Sequence, residues 1–154
     1  MPQRLVVLAN NEIYHIFNRS IAGENILALN QKANLTKAFE IVNYYRYPQK
    51  LRLSRFKILP SELKKQYLKS FKTAVPLVEI YVFAFMPNHF HFLLKQIQDR
   101  GIARFIANFQ NSFAKVFNLK NDRKGALFQN AFKAKRIITE EQCIHVSRYI
   151  HLNP

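Results

Sequence analysis

Two histidines stand two residues apart in the segment FMPNHFHFLLK, residues 85–95. The apolar and aromatic residues around them predict a buried β-strand, and on a strand such residues point to the same face with Cα atoms about 6.7 Å apart. Two imidazoles at this spacing can bind one metal ion, each with a metal–nitrogen distance of about 2 Å. His89 and His91 are therefore a candidate pair of metal ligands, with Phe90 packed on the opposite face. The alternative is two satisfied polar side chains on a solvent-facing strand.

A third ligand is needed for a metal site, and the C-terminal segment RYIHLNP, residues 148–154, offers one. Tyr149 and Asn153 are four residues apart on a predicted helix and so share a face, with His145 one turn earlier on the same stripe. If the helix docks with this stripe over the histidine strand, the side-chain oxygen of Asn153 completes a three-ligand site, with the Tyr149 phenol one turn away. The alternatives are that Asn153 is a C-cap residue and Tyr149 a core aromatic. A separate apolar stripe would dock the helix on the sheet, formed by Cys143, Val146 and Ile150.

Local patterns predict the elements that position these residues. Residues 12–19 alternate as a strand, with Ile13, His15 and Phe17 on one face and Tyr14, Ile16 and Asn18 on the other. Residues 78–86 and 89–96 predict an antiparallel hairpin, and 126–138 an extended segment with a possible hairpin of its own. Helices are predicted over 34–47, from an N-cap at Ser61, over 102–117, and from about 140 after a capping box formed by Thr139 and Gln142. Residues 48–58 are predicted to be irregular. This order predicts an α+β fold in which helices cover an antiparallel sheet.

Composition narrows the class of protein. The chain has 154 residues and no internal repeat or linker, which predicts a single domain over 1–154. Lys and Arg total 24 against 9 acidic residues, a net charge of +15, which favours a polyanionic partner such as nucleic acid. Cys143 is the single cysteine, so an intrachain disulfide and a cysteine-based zinc finger are excluded. The longest apolar runs are too short for a membrane span. We therefore expect a cytoplasmic protein with no membrane partner.

The basic residues fall into two groups that could bind a DNA backbone, one of them interleaved with Tyr44, Tyr45 and Tyr47. Cations beside exposed aromatic side chains suit phosphate contacts combined with base stacking. The first group is Arg46, Lys50, Arg52, Arg55 and Lys57, and the second is Arg123, Lys124, Lys133 and Lys135. The alternative for each one is a solvated surface charge.

Four segments together resemble the single-tyrosine HUH transposases, and within them the REP-associated tyrosine transposases. These segments are YHIFNRS at 14–20, FMPNHFHFLLK at 85–95, GALFQNAFK at 125–133 and YIHLNP at 149–154. The resemblance implies a ferredoxin-like antiparallel sheet with the His-x-His pair on a central strand. It also implies that His89 and His91 are the paired metal ligands, Asn153 the third ligand and Tyr149 the nucleophile. Similar proteins often continue well beyond the Asn-Pro pair, so the sequence leaves open a domain truncated at Pro154.

The implied activity is metal-dependent cleavage and rejoining of single-stranded DNA, through a 5′-phosphotyrosine intermediate that conserves the bond energy. The resemblance implies that the DNA partner is a hairpin with a flanking single strand and that the process is DNA transposition and recombination. It also implies that the protein is associated with the nucleoid and uses no nucleotide cofactor. A neutral ligand set taken alone would favour zinc, whereas the resemblance implies Mg²⁺ or Mn²⁺. A phenol is protonated at neutral pH, so it must lose its proton to a neighbour, and His145 is a candidate relay.

Two other functions stay open at this stage. One is a non-catalytic module that binds structured nucleic acid on the same fold, for which Tyr149 and both histidines are unnecessary. The other is a metal-dependent phosphoesterase that activates water, against which stands the absence of a carboxylate near the motifs. The sequence does not specify the DNA sequence recognised, a mobile or a domesticated role, or a monomer or a homodimer, and hence whether Tyr149 acts in cis or in trans.

Overall fold

A four-stranded antiparallel sheet in the order β2-β3-β1-β4 is the centre of the fold. The computed structural model describes residues 6–152. The strands are β1 Ile13–Arg19, β2 Val78–Met86, β3 His89–Gln96 and β4 Lys133–Ile137. This strand order, with helices between β1 and β2 and between β3 and β4, is the ferredoxin-like arrangement that the sequence predicts. The histidine strand β3 lies inside the sheet, between β2 and β1.

Five α-helices accompany the sheet within residues 6–152. Their bounds are α1 Lys32–Tyr45, α2 Leu53–Lys57, α3 Ser61–Lys69, α4 Gly101–Lys120 and α5 Glu140–Leu152. Short 3₁₀ segments lie at Ile21–Gly23 and Ser70–Thr73. Across residues 6–152, no helix combines the length and the apolar character that crossing a bilayer requires.

One face of the sheet forms the main core. The even-numbered residues of β1 and β3, among them Tyr14, Ile16, Phe90 and Phe92, are fully buried there. They meet the apolar faces of α1 and α4, which contribute Ile41, Phe105 and Phe109 to the same cluster. Alternation along the strands puts the intervening residues, including all three strand histidines, on the opposite face.

Helix α5 covers that opposite face. Ile150 is buried against Val82, Leu93 and Ile137, and two further side chains of the helix pack beside it, Cys143 and Val146. The predicted docking stripe is therefore confirmed. This second cluster is small and lies beside the three histidines on the same face of the sheet.

Three local predictions need correction. Residues 48–58 are not wholly irregular, since α2 spans Leu53–Lys57 and buries Leu53 in the main core. Ser61 is the first residue of α3 and not its N-cap; Pro60 precedes it, and no side chain caps this end. Within the described chain, the only strand of the 126–138 segment is Lys133–Ile137, preceded by an isolated bridge between Ser20 and Phe128, so the possible hairpin is absent.

The N-terminus of α5 is capped by side chains. The Gln142 amide N–H donates to Thr139 Oγ1 at 3.1 Å. The Gln142 side-chain oxygen accepts from the Ile138 amide at 2.9 Å, one residue before the partner expected for a capping box. The Thr139 half of the predicted capping box is thus confirmed, whereas the Gln142 side chain binds the Ile138 amide in place of the Thr139 amide.

Gly101, the first residue of α4, lies so close to Leu77 that a side chain does not fit. An added Cβ would overlap the Leu77 carbonyl oxygen and lie 3.0 Å from its carbonyl carbon. We expect Gly101→Ala to lower the free energy of unfolding by about 1–3 kcal/mol, because backbone must move to admit the methyl group. Urea denaturation measures this. The exposed Ala107→Gly on the same helix should cost about 1 kcal/mol, from helix propensity alone. A Gly101→Ala protein more stable than wild type would contradict the overlap.

Thr139→Ala should lower the free energy of unfolding by about 1 kcal/mol, because the Gln142 amide loses its acceptor at the start of α5. Thr139→Ser keeps the hydroxyl and should unfold close to wild type. Thermal or urea unfolding followed by circular dichroism compares the three proteins. Equal losses in the alanine and serine variants would assign the effect to the threonine methyl group instead.

Candidate functional site

The two predicted ligand histidines lie side by side on the α5 face of β3. The ring centroids of His89 and His91 are 5.1 Å apart, and the rings are nearly perpendicular. His89 Nδ1 donates to the Asn88 side-chain oxygen at 2.8 Å. Because Nδ1 carries the proton in that bond, the Nε2 lone pair of His89 is free to bind a cation.

His15 is a third histidine of this site, and no role was predicted for it. Its Nε2 lies 2.9 Å from His91 Nδ1, and the two rings stack with centroids 5.1 Å apart. Both side chains are more than nine-tenths buried. The sequence predicts that His15 shares a strand face with Phe17, but only the pairing of β1 with β3 brings it against His91.

His91 Nε2 is buried and has no hydrogen-bond partner among the described residues. A buried polar atom without a partner is costly, so such atoms in native proteins need an explanation. A bound cation supplies one, because in each histidine of the predicted pair Nε2 is the ring nitrogen that no other described group uses. The predicted alternative, two satisfied polar side chains, does not fit this atom.

The donor set in the described chain is limited to two ligands. No three His, Cys, Asp or Glu side chains within residues 6–152 are arranged to hold a metal ion. The predicted third ligand, Asn153, lies outside the described residues and stays a prediction. The histidine pair therefore fits a divalent cation whose remaining ligands are amide oxygen, water or substrate oxygen.

All three histidines are held in their neutral form. Burial lowers the pKa of His15 to about 4, and the Lys135 charge adds to the effect. Burial also lowers the pKa of His91 to about 4, with smaller contributions from His15, His89 and Arg19. The pKa of His89 is lowered by burial and then by Arg19. Since only the neutral ring has a lone pair, each ring can act as a ligand or a hydrogen-bond acceptor at neutral pH.

Tyr149 extends from α5 over these rings. Its ring centroid is 5.6 Å from that of His91 and 6.2 Å from that of His15, edge-on in both cases. The side chain is 49% exposed, so Tyr149 is not the core aromatic of the alternative interpretation. Among the described residues its hydroxyl has no hydrogen-bond partner. The phenol is therefore accessible to a substrate lying above the histidine pair.

These groups line one cavity of about 480 Å³. Cationic charge comes from Lys135 of β4, opposite His15 in the sheet, and from Arg19 at the end of β1. None of the described residues around the cavity is Asp or Glu. Such a cavity favours an anionic ligand. Its lining is His15, Phe17, Asn18, Arg19, His89, His91, Lys135, Gln142, His145, Val146 and Tyr149.

Several of these residues were not predicted. Arg19, Asn18 and Gln142 line the cavity in addition to His15. Arg19 and Asn18 belong to the YHIFNRS segment, whose sequence predicts a strand but no role for either side chain at the site. The predicted relay His145 lies on the cavity wall one turn before Tyr149, and it is exposed.

The first predicted basic group lies away from this cavity, on α2 and on the segment between α1 and α2. Arg52 and Lys57 line a separate cavity of about 470 Å³ with Lys37 and with Lys115 of α4. Lys57 is also paired with Glu40 at 2.8 Å. Arg46 stacks on Tyr47 at 5.1 Å. Lys50 and Arg55 belong to the same stretch of chain.

The prediction that the tyrosines beside this group are exposed needs correction. Tyr44 and Tyr45 are buried in the main core, where their hydroxyls bond the Leu51 carbonyl and the Leu53 amide. Tyr47 stacks on Phe71 with ring centroids 5.6 Å apart. Tyr44 and Tyr45 therefore have a packing role and are not exposed for base stacking.

The second predicted basic group lies in two places, on β4 and in the turn that follows α4. Lys133 lies opposite Phe17 on β4, two residues from Lys135 and exposed. Arg123 pairs with Glu24 at 3.1 Å and donates to the Ala126 carbonyl at 2.9 Å, so it stabilises its own turn. Lys124 beside it is exposed.

Comparison with known proteins supports the fold. No curated protein sequence matches the chain. Among solved structures, one similar protein is a REP-associated tyrosine transposase bound to a REP hairpin, with a TM-score of 0.65 and 16% identity, over 100% of this chain and 73% of the other. A second is a candidate transposase from Deinococcus radiodurans R1, with a TM-score of 0.50 and 13% identity, over 98% of this chain and 95% of the other. At these identities the likeness concerns the fold.

A family model described as "Transposase IS200 like" matches residues 51–153. That match contains β2, the histidine strand β3, α4, β4 and α5, and so both histidines of the predicted ligand pair together with Tyr149. The chain belongs to the IS200-like transposase family.

Proposed function

We propose that this protein cleaves and rejoins single-stranded DNA in transposition, with Tyr149 as the nucleophile. The observation that carries the proposal is the half-exposed phenol beside His91, in a cavity that His89 and His91 also line with uncommitted Nε2 atoms.

His89 and His91 would hold a divalent cation, Mg²⁺ or Mn²⁺, through their Nε2 atoms, with Asn153 as the proposed third ligand. Once bound, this ion would supply positive charge for the non-bridging oxygens of the scissile phosphate. Because both histidines are neutral, they leave that charge undiminished. Arg19 and Lys135 would add fixed positive charge at the edge of the same cavity.

The covalent step involves one bond formed and one broken. The Tyr149 hydroxyl oxygen attacks the phosphorus, and the bond from phosphorus to the 3′ oxygen breaks. The products are a 5′-phosphotyrosine and a strand that ends in a 3′-hydroxyl, which takes up one proton. The phenolic proton passes to cavity water or to His145, one turn away. Attack of a 3′-hydroxyl on the phosphotyrosine reverses the step and rejoins DNA without an external energy source.

The proposed substrate is a DNA hairpin with a single-stranded flank, by analogy with the REP-hairpin complex of the similar structure. Lys133 and Lys135 of β4 would bind the backbone beside Tyr149, together with Arg19. The cations at 46–57 would bind a more distant part of the same DNA, and Lys124 the nearer flank. Arg123 would contribute mainly by holding its turn, given its bonds to Glu24 and Ala126.

Two observations weigh against the other functions. A module that only binds nucleic acid needs neither an exposed phenol nor a buried, unpartnered imidazole nitrogen beside it. A phosphoesterase that activates water needs a general base, usually a carboxylate, and no described residue of the cavity lining supplies one.

Tyr149→Phe should abolish a covalent protein–DNA adduct while leaving DNA binding within about twofold, because it removes only the attacking oxygen. The assay incubates end-labelled hairpin DNA with Mn²⁺ and resolves the products on a denaturing gel, with a chelator as the metal control. Tyr81→Phe is the matched control, since Tyr81 is equally exposed at 49% on β2 but lies outside the cavity.

The outcomes separate the three functions. An adduct that requires Tyr149 and metal supports the proposal. Cleavage without an adduct would indicate a water nucleophile. Tight binding with neither product, across several hairpin sequences and both metals, would indicate a binding module.

Lys135→Ala should weaken binding to single-stranded DNA of any sequence, because a backbone contact carries no base information. The magnitude of the slope of log affinity against log salt concentration should fall by about 0.7, the value for one phosphate contact on a single strand. Fluorescence anisotropy at several salt concentrations measures this. Lys69→Ala at the end of α3 is the control and should leave the slope unchanged. An unchanged slope for Lys135→Ala would remove this residue from the DNA contact.

A further inference from the structure

The hydrogen bond between His15 and His91 joins two neutral imidazoles, so a single proton must lie between their facing nitrogens. The atoms are His15 Nε2 and His91 Nδ1, 2.9 Å apart. Either His91 donates from Nδ1 or His15 donates from Nε2. The choice decides the state of His91 Nε2, because a neutral ring carries only one proton.

The two arrangements differ in what they leave on the buried His91 Nε2. If His15 donated, His91 would carry its proton on Nε2, a buried N–H with no acceptor among the described residues that could not bind a cation. If His91 donates, Nε2 presents a lone pair to the cavity, and His15 keeps its own proton on Nδ1. The second arrangement avoids an N–H donor on the one buried nitrogen that has no partner among the described residues, and an orphaned buried N–H is the rarer and costlier defect in protein interiors.

His89 has the corresponding arrangement with a different partner. Its Nδ1 proton goes to the Asn88 side-chain oxygen, so its Nε2 is also free. Each histidine of the pair thus has its Nδ1 held by a neighbouring side chain and its Nε2 uncommitted. Ring nitrogens held in this way are typical of metal-binding histidines, whose second nitrogen donates to a fixed acceptor.

His15 is not placed to act as a ligand itself. Its Nε2 is engaged by His91, and His15, His89 and His91 do not form a group that could hold one ion within the described chain. Its position is also rigid, since β1 is paired on both sides, with β3 and with β4.

We propose that His15 is a positioning residue: it accepts the Nδ1 proton of His91 and so fixes the tautomer and the ring orientation that direct the His91 Nε2 lone pair into the cavity. This inference rests on the proposed function in that the lone pair is meant for a divalent cation. The tautomer itself is a property of the metal-free protein.

The first test needs no variant and no metal. Proton–nitrogen NMR of the ¹⁵N-histidine-labelled, metal-free protein at neutral pH reports which nitrogen of each ring is protonated. We expect His91 protonated on Nδ1 and unprotonated on Nε2, with His15 also protonated on Nδ1. A proton on His91 Nε2 would overturn the proposal.

The second test measures Mn²⁺ affinity by calorimetry. His15→Phe keeps a planar ring but removes the acceptor, and we expect affinity to fall about 10–100-fold, the usual effect of losing such a partner. His15→Gln can place an amide oxygen near the original Nε2 and should recover most of the affinity. His151→Phe is the control, since His151 bonds the Ser147 carbonyl and does not line this cavity. Wild-type affinity in His15→Phe would overturn the proposal.

His91→Ala distinguishes this inference from the proposed function. If His91→Ala loses Mn²⁺ binding while His15→Phe retains it, His15 has no positioning role and the metal site stands. If His91→Ala binds Mn²⁺ like wild type, the histidine pair is not the metal site. Thermal unfolding of each variant establishes that it is folded. If His15→Phe does not fold, the NMR result on the wild-type protein still decides the tautomer.

Discussion

The antiparallel pairing of β1 with β3 determines which side chains face α5, and every group of the candidate site depends on it. In this register Phe17 lies opposite His91 and His15 opposite Leu93. Because side chains alternate along a strand, a slip of one residue would turn His15 towards α1 and α4 and bring Tyr14 to the site. The buried aromatic residues on the other face oppose such a slip, since all of them would have to leave the main core. The packing of the core thus holds the register of the site.

The two faces of the sheet differ in residue composition. The face that meets α1 and α4 is mostly apolar, whereas the α5 face combines a small apolar cluster with three histidines and with cations that include Arg19 and Lys135. Helix α5 is anchored at Ile150, directly after Tyr149. A helix alternates buried and exposed residues within one turn, so the anchor that packs against the sheet also sets where the phenol lies.

The described lining of the cavity contains positively charged side chains and no carboxylate. The described residues that line the cavity contribute cations and neutral rings, with no carboxylate to compete for an anion or a metal ion. Burial keeps the histidines neutral in this positive surrounding. The long side chains of Arg19 and Lys135 remain at the exposed edge of the cavity, where a DNA backbone would approach.

The sequence by itself determined most of the elements and the residue types that they carry, although it missed α2 and did not give the bounds of β4. Alternation and helical periodicity identified the four strands' positions, the faces of β1, and the docking stripe of α5, and the His-x-His spacing placed His89 and His91 on one face, because these features are local and repeat with a fixed period. Local patterns failed where context decides: Tyr44 and Tyr45 look like surface aromatics beside cations but pack in the core. Only the tertiary structure decided that His15 meets His91 across 76 residues, that Arg19 and Lys135 border the same cavity, and that the cations at 46–57 lie elsewhere. Such contacts follow from strand order and helix docking, and no short stretch of sequence specifies either, because both depend on how distant segments bury their apolar faces together.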